Sequence, residues 1–448
     1  MYSRRELLKS ASAGFGYLAF AGLANAESAS SNPLAPSPPH FPGTAKRVIF
    51  LCMSGGPSHV DTFDYKPQLV KDHGKPGHYG SKLLQSPWKF RQRGQSGLWI
   101  SDLFPNVGQC ADDLCLIRSM QCDQPAHPSA MTQMHTGTAR FIRPSLGAWT
   151  LYGLGTENDS VPGFISLNPI SGNSRNYGSA FLPSIYGGTK VGGSGQGSKE
   201  TVRDLRNEKL SRQQQRAQLD LMQMLNREKL GREKFQPQVE GVIETYELAF
   251  RMQDAMPAVM DTSKETDATL AMYGVDKEAT ASFGRQCLLA RRMVESGVRF
   301  VEVTHGPWDQ HTNLKADHQS RAESCDKPIA GLLQDLKQRD MLKDTLVIWG
   351  GEFGRSPEAQ GANGDGRNHN NQGYTSWMAG GGVKGGFSYG ATDEYGYETV
   401  ENKCHIHDWH ATILHLLGLD HERLTYRYAG RDFRLTDVHG DVAHDILA

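Results

Sequence analysis

Four short, continuous apolar runs constrain the fold of this chain more than any other feature of its sequence. They cover residues 47–53, 114–120, 298–304 and 345–349. Buried strands of parallel sheets have this uninterrupted apolar character. The last two runs each follow a helix-like stretch, at 283–295 and 328–339. This alternation of helices and strands predicts an α/β fold, with a mostly parallel sheet flanked by helices.

Acidic, imidazole and hydroxyl side chains follow these runs. In open α/β sheets, ligands bind beyond the carboxyl ends of the strands, so side chains that follow different strands are brought together there. Carboxylates and imidazoles are ligands for Zn²⁺, Mn²⁺ or Ca²⁺. We therefore predict a metal-assisted hydrolytic site built from His59, Asp61, His127, Ser129, Asp309, His311, Glu352, Arg355 and His369.

The predicted ligands are Asp309, His311, Glu352 and His369, with Asp61 and His59 as further ligands. His369 lies in a Gly- and Asn-rich stretch, residues 363–371, that has the composition of a loop. Glu352 could instead act as a base, or form a buried pair with Arg355 that braces the turn.

Three residues are the predicted catalytic groups. Ser129 follows a proline where a helix is expected to begin, so it is either a nucleophile favoured by the helix N-terminus or a helix cap. His127 is a base or a ligand. Arg355 is predicted to hold the transferred oxyanion, since a guanidinium can bind one bidentately.

The N-terminus reads as an export signal. Residues 3–9 match a twin-arginine motif, a short apolar stretch follows at 11–23, and residues 24–26 form an A-x-A cleavage site. The apolar stretch is too short to favour a membrane span. We predict a signal peptide at 1–26, recognition by the twin-arginine export machinery, and a periplasmic or secreted mature protein with no stable span.

The composition of the chain argues against several classes of protein and of metal site. Hydrophobic residues make up 38% of the chain, mean hydropathy is −0.52 and net charge is −1, which argues against a multi-span membrane protein and against nucleic acid as a partner. The seven cysteines include no C-x-x-C pair. A thiolate metal site is therefore not expected, and isolated buried thiols are favoured over a Cys110–Cys115 pair.

The domain organisation follows from the same patterns. Residues 27–45 are rich in Ser and Pro and read as an extended linker, and residues 46–448 as a single domain. Within it, residues 199–261 are polar and helix-prone. They are either a lid or partner-binding arm or, as we favour, a solvated helical insertion packed on the domain.

Together these motifs resemble the alkaline phosphatase/sulfatase superfamily, and more closely a twin-arginine-exported, sulfatase-like branch of it. The matching segments are 54–64, 126–129 with Thr136 and Gly137, 143–147, 308–311, 352–355 and 430–432. The resemblance implies an alkaline-phosphatase-like sheet and hydrolysis of sulfate or phosphate esters. The substrate would be a small molecule or a polysaccharide.

The chain also departs from that superfamily. Ala126 stands where sulfatases carry their modified Cys or Ser, and Ala130 replaces the Arg of the same motif. Phe353 replaces one metal-ligating His, and Ser54-Gly55 replaces the first-strand Asp. Three functions are therefore considered: a metal-dependent ester hydrolase, which we favour, a catalytically degenerate glycan- or anion-binding scaffold of the same fold, or a structural surface component in which residues 199–261 form an assembly arm.

Overall fold

The structure, a computed structural model, describes residues 33–170, 173–192, 205, 209–232 and 237–448. The predicted signal peptide lies outside these residues. The helices are α1 His59–Thr62, α2 Pro67–Lys71, α3 His127–Thr136, α4 Leu146–Leu154, α5 Arg212–Arg232, α6 Pro237–Met260, α7 Asp267–Met272, α8 Glu278–Glu295, α9 Leu314–Gln338 and α10 Ile406–Leu416. The strands are β1 Arg47–Met53, β2 Phe90–Arg93, β3 Leu98–Ser101, β4 Leu114–Gln121, β5 Phe164–Leu167, β6 Thr189–Val191, β7 Phe300–His305, β8 Thr345–Gly350, β9 Gly354–Gln360, β10 Gly366–Asn370, β11 Tyr374–Ala379, β12 Phe387–Tyr389, β13 Ala391–Thr392, β14 Thr399–Glu401, β15 Cys404–His405, β16 Tyr426–Tyr428 and β17 Arg431–Phe433.

A central sheet organises the domain. Its strand order is β12-β4-β11-β8-β1-β7-β5-β6, with β15 also paired to β4. Every pairing in it is parallel except those of β11, which runs antiparallel to both β4 and β8. The predicted α/β fold with a mostly parallel sheet is confirmed.

The four apolar runs are all strands of this sheet. Strand β1 has the predicted bounds, and it lies between β7 and β8 with Val48 opposite both Phe300 and Leu346. Every residue of β8 is buried. The other predicted strand boundaries are shifted by one or two residues. Helix α8 begins five residues before its predicted start at 283, and α9 begins fourteen residues before its predicted start at 328. The first half of α9 is polar and half-exposed, so the apolar pattern indicated only its second half.

One edge of the sheet collects the polar side chains. Strands β1, β7 and β8 are mutually parallel, and β4 points the same way because β11 is antiparallel to both β4 and β8. Their carboxyl ends therefore lie on one edge. The segments that leave this edge carry His127, Asp309 and Glu352.

The stretch around His369 is a strand rather than the expected loop. Strand β10 pairs with β9 in an antiparallel hairpin, which sets His369 opposite Arg355. Gly366 suits close backbone approach, because a Cβ there would lie 1.9 Å from the His311 carbonyl oxygen. The hairpin is therefore pressed against the loop that carries His311.

The part of the predicted linker that the structure describes, residues 33–45, lies along the domain. Leu34 and Ala45 are buried. The backbone N–H groups of His40 and Phe41 donate to the Gly418 carbonyl, and that of Thr44 donates to Leu416. These hydrogen bonds and buried side chains dock the segment against the domain.

Helices α5 and α6 account for most of the polar segment 199–261. Helix α6 buries Leu248, Met252 and Met256 against the domain. A bidentate ion pair joins Arg216 of α5 to Glu247 of α6. Four apolar side chains of α5 are 41–58% exposed: Leu221, Met222, Met224 and Leu225.

The C-terminal helix α10 begins with a capping box. Its N-cap is His405, and Asp408, the third helical residue, completes the box. Gly418 follows the helix in the left-handed conformation, which suits a glycine.

All seven cysteines are buried and free, as predicted. Among the described residues, none of the helices combines the length and the apolar character needed to cross a bilayer.

Candidate functional site

Three histidines and one aspartate converge at the carboxyl edge of the sheet. Asp309 Oδ1 lies 3.1 Å from His127 Nε2, 2.9 Å from His311 Nε2 and 3.6 Å from His369 Nε2. The Nε2 atoms of His311 and His369 are themselves 3.0 Å apart. These residues come from three separate places: the start of α3, the loop after β7, and β10.

The opposite nitrogen of each ring is held by an acceptor. His127 Nδ1 lies 2.6 Å from Glu352 Oε1, His311 Nδ1 lies 2.7 Å from Gln360 Oε1, and His369 Nδ1 lies 2.6 Å from the Pro125 carbonyl. Each Nδ1 must therefore carry the proton, and in the neutral ring the lone pair is on Nε2. Three lone pairs thus point towards one carboxylate oxygen.

This donor set fits a divalent metal ion. Facing lone pairs 3.0 Å apart repel unless a cation lies between them. Ligand atoms around a tetrahedral ion with bonds of about 2.1 Å are roughly 3.4 Å apart, close to the distances observed here. Imidazoles whose Nδ1–H groups are fixed by carboxylate or carbonyl acceptors are also typical of metal ligands.

Glu352 lies behind His127 rather than among the converging atoms. Its side chain is 1% exposed, and it accepts hydrogen bonds from His127 and from the Gly55 backbone N–H, 3.0 Å from Oε1. Gly55 can approach this closely because it has no Cβ; at its φ of +107° a Cβ would lie 2.4 Å from the Trp308 nitrogen. The predicted ligand Glu352 thus holds the Nδ1 atom of His127 and does not join the converging atoms.

The Arg355 side chain is buried, and its N–H groups donate to other parts of the protein. It is 1% exposed, and its guanidinium donates to Asp309 Oδ1 at 2.7 Å. It also donates to four backbone carbonyls: Gly55, Gly56, Trp308 and Arg367. Glu352 and Arg355 do not form the predicted ion pair. Arg355 also has almost no exposed surface with which it could make the predicted contact with an oxyanion. Arg355 instead fixes the loop that carries Asp309.

The electrostatics keep the Asp309 carboxylate ionised and favour a neutral His369 ring. Burial raises the pKa of Asp309, but the hydrogen bond and charge of Arg355, helped by His127, bring it to about 2. Burial lowers the pKa of His127, yet the hydrogen bond and charge of Glu352 and the charge of Asp309 leave it raised overall. Burial and the nearby Arg355 charge lower the pKa of His369.

Two predicted ligands lie elsewhere. Asp61 is fully buried, accepts from Ser58 Oγ at 2.5 Å and pairs with Arg367 at 2.7 Å. Burial raises the pKa of Asp61, but Arg367 lowers it below its usual value. His59 is also buried and bonds the Gly396 carbonyl at 2.9 Å. Asp61 is thus occupied by an internal ion pair, and neither residue joins the converging set.

Ser129 lines the cleft above the site. It is the third residue of α3, whose N-cap is Ala126, and its Oγ donates to the Ala126 carbonyl at 3.0 Å. The helix-cap alternative is therefore wrong. The cleft has a volume of about 670 Å³, and its walls include His127, Asp309 and Arg175.

Sequence reasoning missed the residues that orient the ligands. Gln360 and the Pro125 carbonyl bind His311 and His369, and Arg175 adds a cation to the cleft wall. An amide or a backbone carbonyl has no distinctive sequence pattern. Only the β9–β10 pairing, which sets Gln360 opposite Gly366, could have pointed to Gln360.

Comparison with solved structures gives weak similarities. A lipoteichoic acid synthase from Listeria monocytogenes matches with a TM-score of 0.38 and 10% identity, over 90% of this chain and 78% of that one. The PsFucS1 sulfatase from Pseudoalteromonas sp. gives 0.34 and 14%, over 84% and 68%. An alkaline phosphatase from the Antarctic bacterium TAB5 gives 0.35 and 13%, over 84% and 98%. Similarities of this size carry no conclusion about activity.

Comparison with protein-family profiles identifies the family of the chain. No curated protein is detectably similar to the chain. The profile of a family described as "Protein of unknown function (DUF1501)" matches residues 45–447, which is nearly all of the chain. The chain therefore belongs to the DUF1501 family.

Proposed function

We propose that this protein is a metal-dependent hydrolase of sulfate or phosphate esters, acting on a small-molecule or polysaccharide substrate. The observation that carries the proposal is the convergence of three imidazole Nε2 atoms on Asp309 Oδ1, with each Nδ1 held by an acceptor. The sulfatase-like motifs of the sequence support the substrate class.

His127, Asp309, His311 and His369 would hold a divalent ion, Zn²⁺ or Mn²⁺ by their donor types. When bound, such an ion stabilises negative charge that develops on a reacting ester oxygen. Glu352 keeps the proton of His127 on Nδ1 and so keeps its Nε2 available. Arg355 sets the position of Asp309 through a 2.7 Å hydrogen bond.

The residues that line the cleft support the proposed class of substrate. Its wall carries the exposed guanidinium of Arg175 beside the apolar side chains of Met131 and Ile170. A cation at the rim favours an anionic ester group, and the apolar surface suits a sugar ring or other substituent. Ser129 is the hydroxyl that could act as nucleophile from this wall.

The test combines elemental analysis with activity. Native protein should contain stoichiometric metal and should hydrolyse at least one substrate in a panel of aryl phosphates, aryl sulfates and sulfated oligosaccharides. Asp309→Asn should lose the metal of this site and the turnover. Asp317→Asn is the matched control, because Asp317 is exposed on α9 and has no role in the site. Full activity in protein stripped of metal would contradict the proposal.

A second candidate function is a binding or scaffold protein that has lost turnover. Two observations favour it: Ser129 bonds only a backbone carbonyl, and Arg355 is buried against carbonyls rather than facing the cleft. Such a protein would bind sulfated glycans saturably and release no product. Turnover of any ester in the panel would exclude it.

Two further parts of the proposal rest on sequence alone. Export by the twin-arginine machinery to the periplasm or beyond is proposed from residues 1–26. The division into signal peptide, linker and one domain with a helical insertion at 199–261 is likewise proposed. Fractionation of cells that carry Arg4→Lys and Arg5→Lys together tests the first, because the double variant should remain in the cytoplasm.

A further inference from the structure

A second cluster of ligand-type side chains is buried beneath helix α3. Cys52 of β1, Glu302 of β7 and His135 of α3 bring a sulfur, a carboxylate oxygen and an imidazole nitrogen within 4.8 Å of one another. Each is almost fully buried, at 0%, 2% and 3% exposed. They belong to three elements far apart in the sequence, so no cysteine motif could indicate this cluster.

The sheet register places these groups on one face. Cys52 lies two residues after Phe50, and Phe50 is the register partner of Glu302, so Phe50, Cys52 and Glu302 share a face. The rings of Phe50 and His135 are 5.8 Å apart, which puts α3 over the same face. The cluster thus lies between the sheet and the helix that begins with His127.

Several polar atoms here have no hydrogen-bond partner. They are His135 Nε2, Glu302 Oε2 and Ser166 Oγ, and Ser166 is the residue opposite Glu302 on β5. His135 Nδ1 bonds the Met131 carbonyl at 2.8 Å, so it carries the proton and leaves a lone pair on Nε2. His135 Nε2 and Glu302 Oε2 lie within ion-pair distance of each other but make no hydrogen bond. Buried polar atoms without hydrogen bonds are costly, and several together indicate an occupant.

Distance and charge indicate what that occupant is. His135 Nε2 and Glu302 Oε2 are 3.4 Å apart, which matches the separation of roughly 3.4 Å between N and O ligands of a tetrahedral ion. A thiolate and a carboxylate together neutralise a divalent charge, and a neutral assembly is what a buried site requires. Sulfur and imidazole ligands select zinc-like transition metals over Mg²⁺ or Ca²⁺.

We propose that Cys52, His135 and Glu302 form a second, buried site for a zinc-type transition-metal ion, separate from the cleft. The site would tie the last turn of α3 to β1 and β7. The first residue of α3 is His127, and the segments after β1 and β7 carry Gly55 and Asp309. The buried ion would therefore hold in place the elements that build the cleft site.

Cobalt spectroscopy tests the proposal directly. Metal-free wild-type protein titrated with Co²⁺ should bind two equivalents, and one of them should give thiolate-to-cobalt charge-transfer absorption in the near ultraviolet. Cys52→Ser should lose that absorption and one equivalent. Cys287→Ser is the matched control, since this buried thiol on α8 lies outside the cluster, and it should keep both.

Absence of the thiolate absorption in the wild type would overturn the proposal, as would its persistence in Cys52→Ser. Should Cys52→Ser not fold, X-ray absorption of zinc-loaded wild type decides the question, because the proposal requires a sulfur neighbour at about 2.3 Å. The cleft site is read out separately: Asp309→Asn should lose one equivalent and keep the thiolate absorption. Failure at either site is thus distinguishable from failure at the other.

Discussion

Glu352→Gln is the substitution that most sharply tests how the cleft site is built. The amide has the shape of the carboxylate, so its oxygen can still accept from His127 Nδ1, 2.6 Å away, and from the Gly55 N–H. The amide NH₂ then replaces Oε2, which lies 3.2 Å from the same Gly55 nitrogen, so donor faces donor. The charge that favours a protonated Nδ1 is lost.

The size of the effect follows from this geometry. A charge-assisted hydrogen bond is about twice as strong as a neutral one, a difference of about 1 kcal/mol. Loss of a group that orients a metal ligand lowers metal affinity by about 10- to 100-fold, equivalent to about 1.4 to 2.7 kcal/mol. We therefore expect Glu352→Gln to bind metal at the cleft site 10- to 100-fold more weakly while remaining folded.

The assay is competition of the protein with a chromophoric chelator of known affinity, beside a urea denaturation curve. Glu358→Gln is the matched control: Glu358 is 3% exposed and accepts from Tyr79, Ser81 and Tyr397, away from the cleft. An unchanged metal dissociation constant in folded Glu352→Gln would refute the orienting role. A loss above 1,000-fold would show instead that Glu352 ligates the ion directly.

Three further predictions concern stability. Asp61→Asn leaves the fully buried Arg367 unpaired and should cost about 3 to 5 kcal/mol in urea unfolding, with metal content unchanged; lost metal would place Asp61 at the site. Dialysis against a chelator should lower Tm reversibly, since an ion at 100 times its dissociation constant adds about 2.7 kcal/mol. Burial lowers the pKa of His305 and His410 to about 3, so unfolding lets each take up a proton below about pH 6.5. Stability should therefore fall by about 1.4 kcal/mol per histidine between pH 7.5 and 5.5, and His410→Asn should reduce that fall by one histidine's share; an unchanged slope would contradict it.

The sheet and the location of the site were predictable because both depend on local patterns. A continuous apolar run such as 47–53 is sufficient to identify a buried strand, and the carboxyl ends of parallel strands must share an edge. The strand pattern and the shared edge together predict that His127 and Asp309 lie close to each other, although they are 182 positions apart in the chain. No knowledge of side-chain contacts was needed for that step.

The roles of individual residues were less predictable because they depend on competition between partners. Asp61 follows the first strand as a ligand would, but β10 brings Arg367 to it and forms an ion pair. Gly366 lets β10 pass against the His311 carbonyl, where a Cβ would clash. The β9–β10 pairing sets His369 opposite Arg355 and so completes the converging set. The packing of one hairpin thus commits Asp61 to an ion pair and brings His369 to Asp309.

The charge at the converging groups argues for one ion in the cleft. Among the described residues there, Asp309 is the only carboxylate that faces the Nε2 atoms, and Glu352 stands behind His127. Two divalent ions beside the Arg355 cation would leave a large uncompensated positive charge, whereas one ion leaves a small one. That small positive charge, with Arg175 on the wall, favours an anionic ester over a neutral one. Aryl phosphates or sulfates should therefore be hydrolysed faster than aryl acetates of the same leaving group, and increasing ionic strength should raise KM for the anionic esters alone.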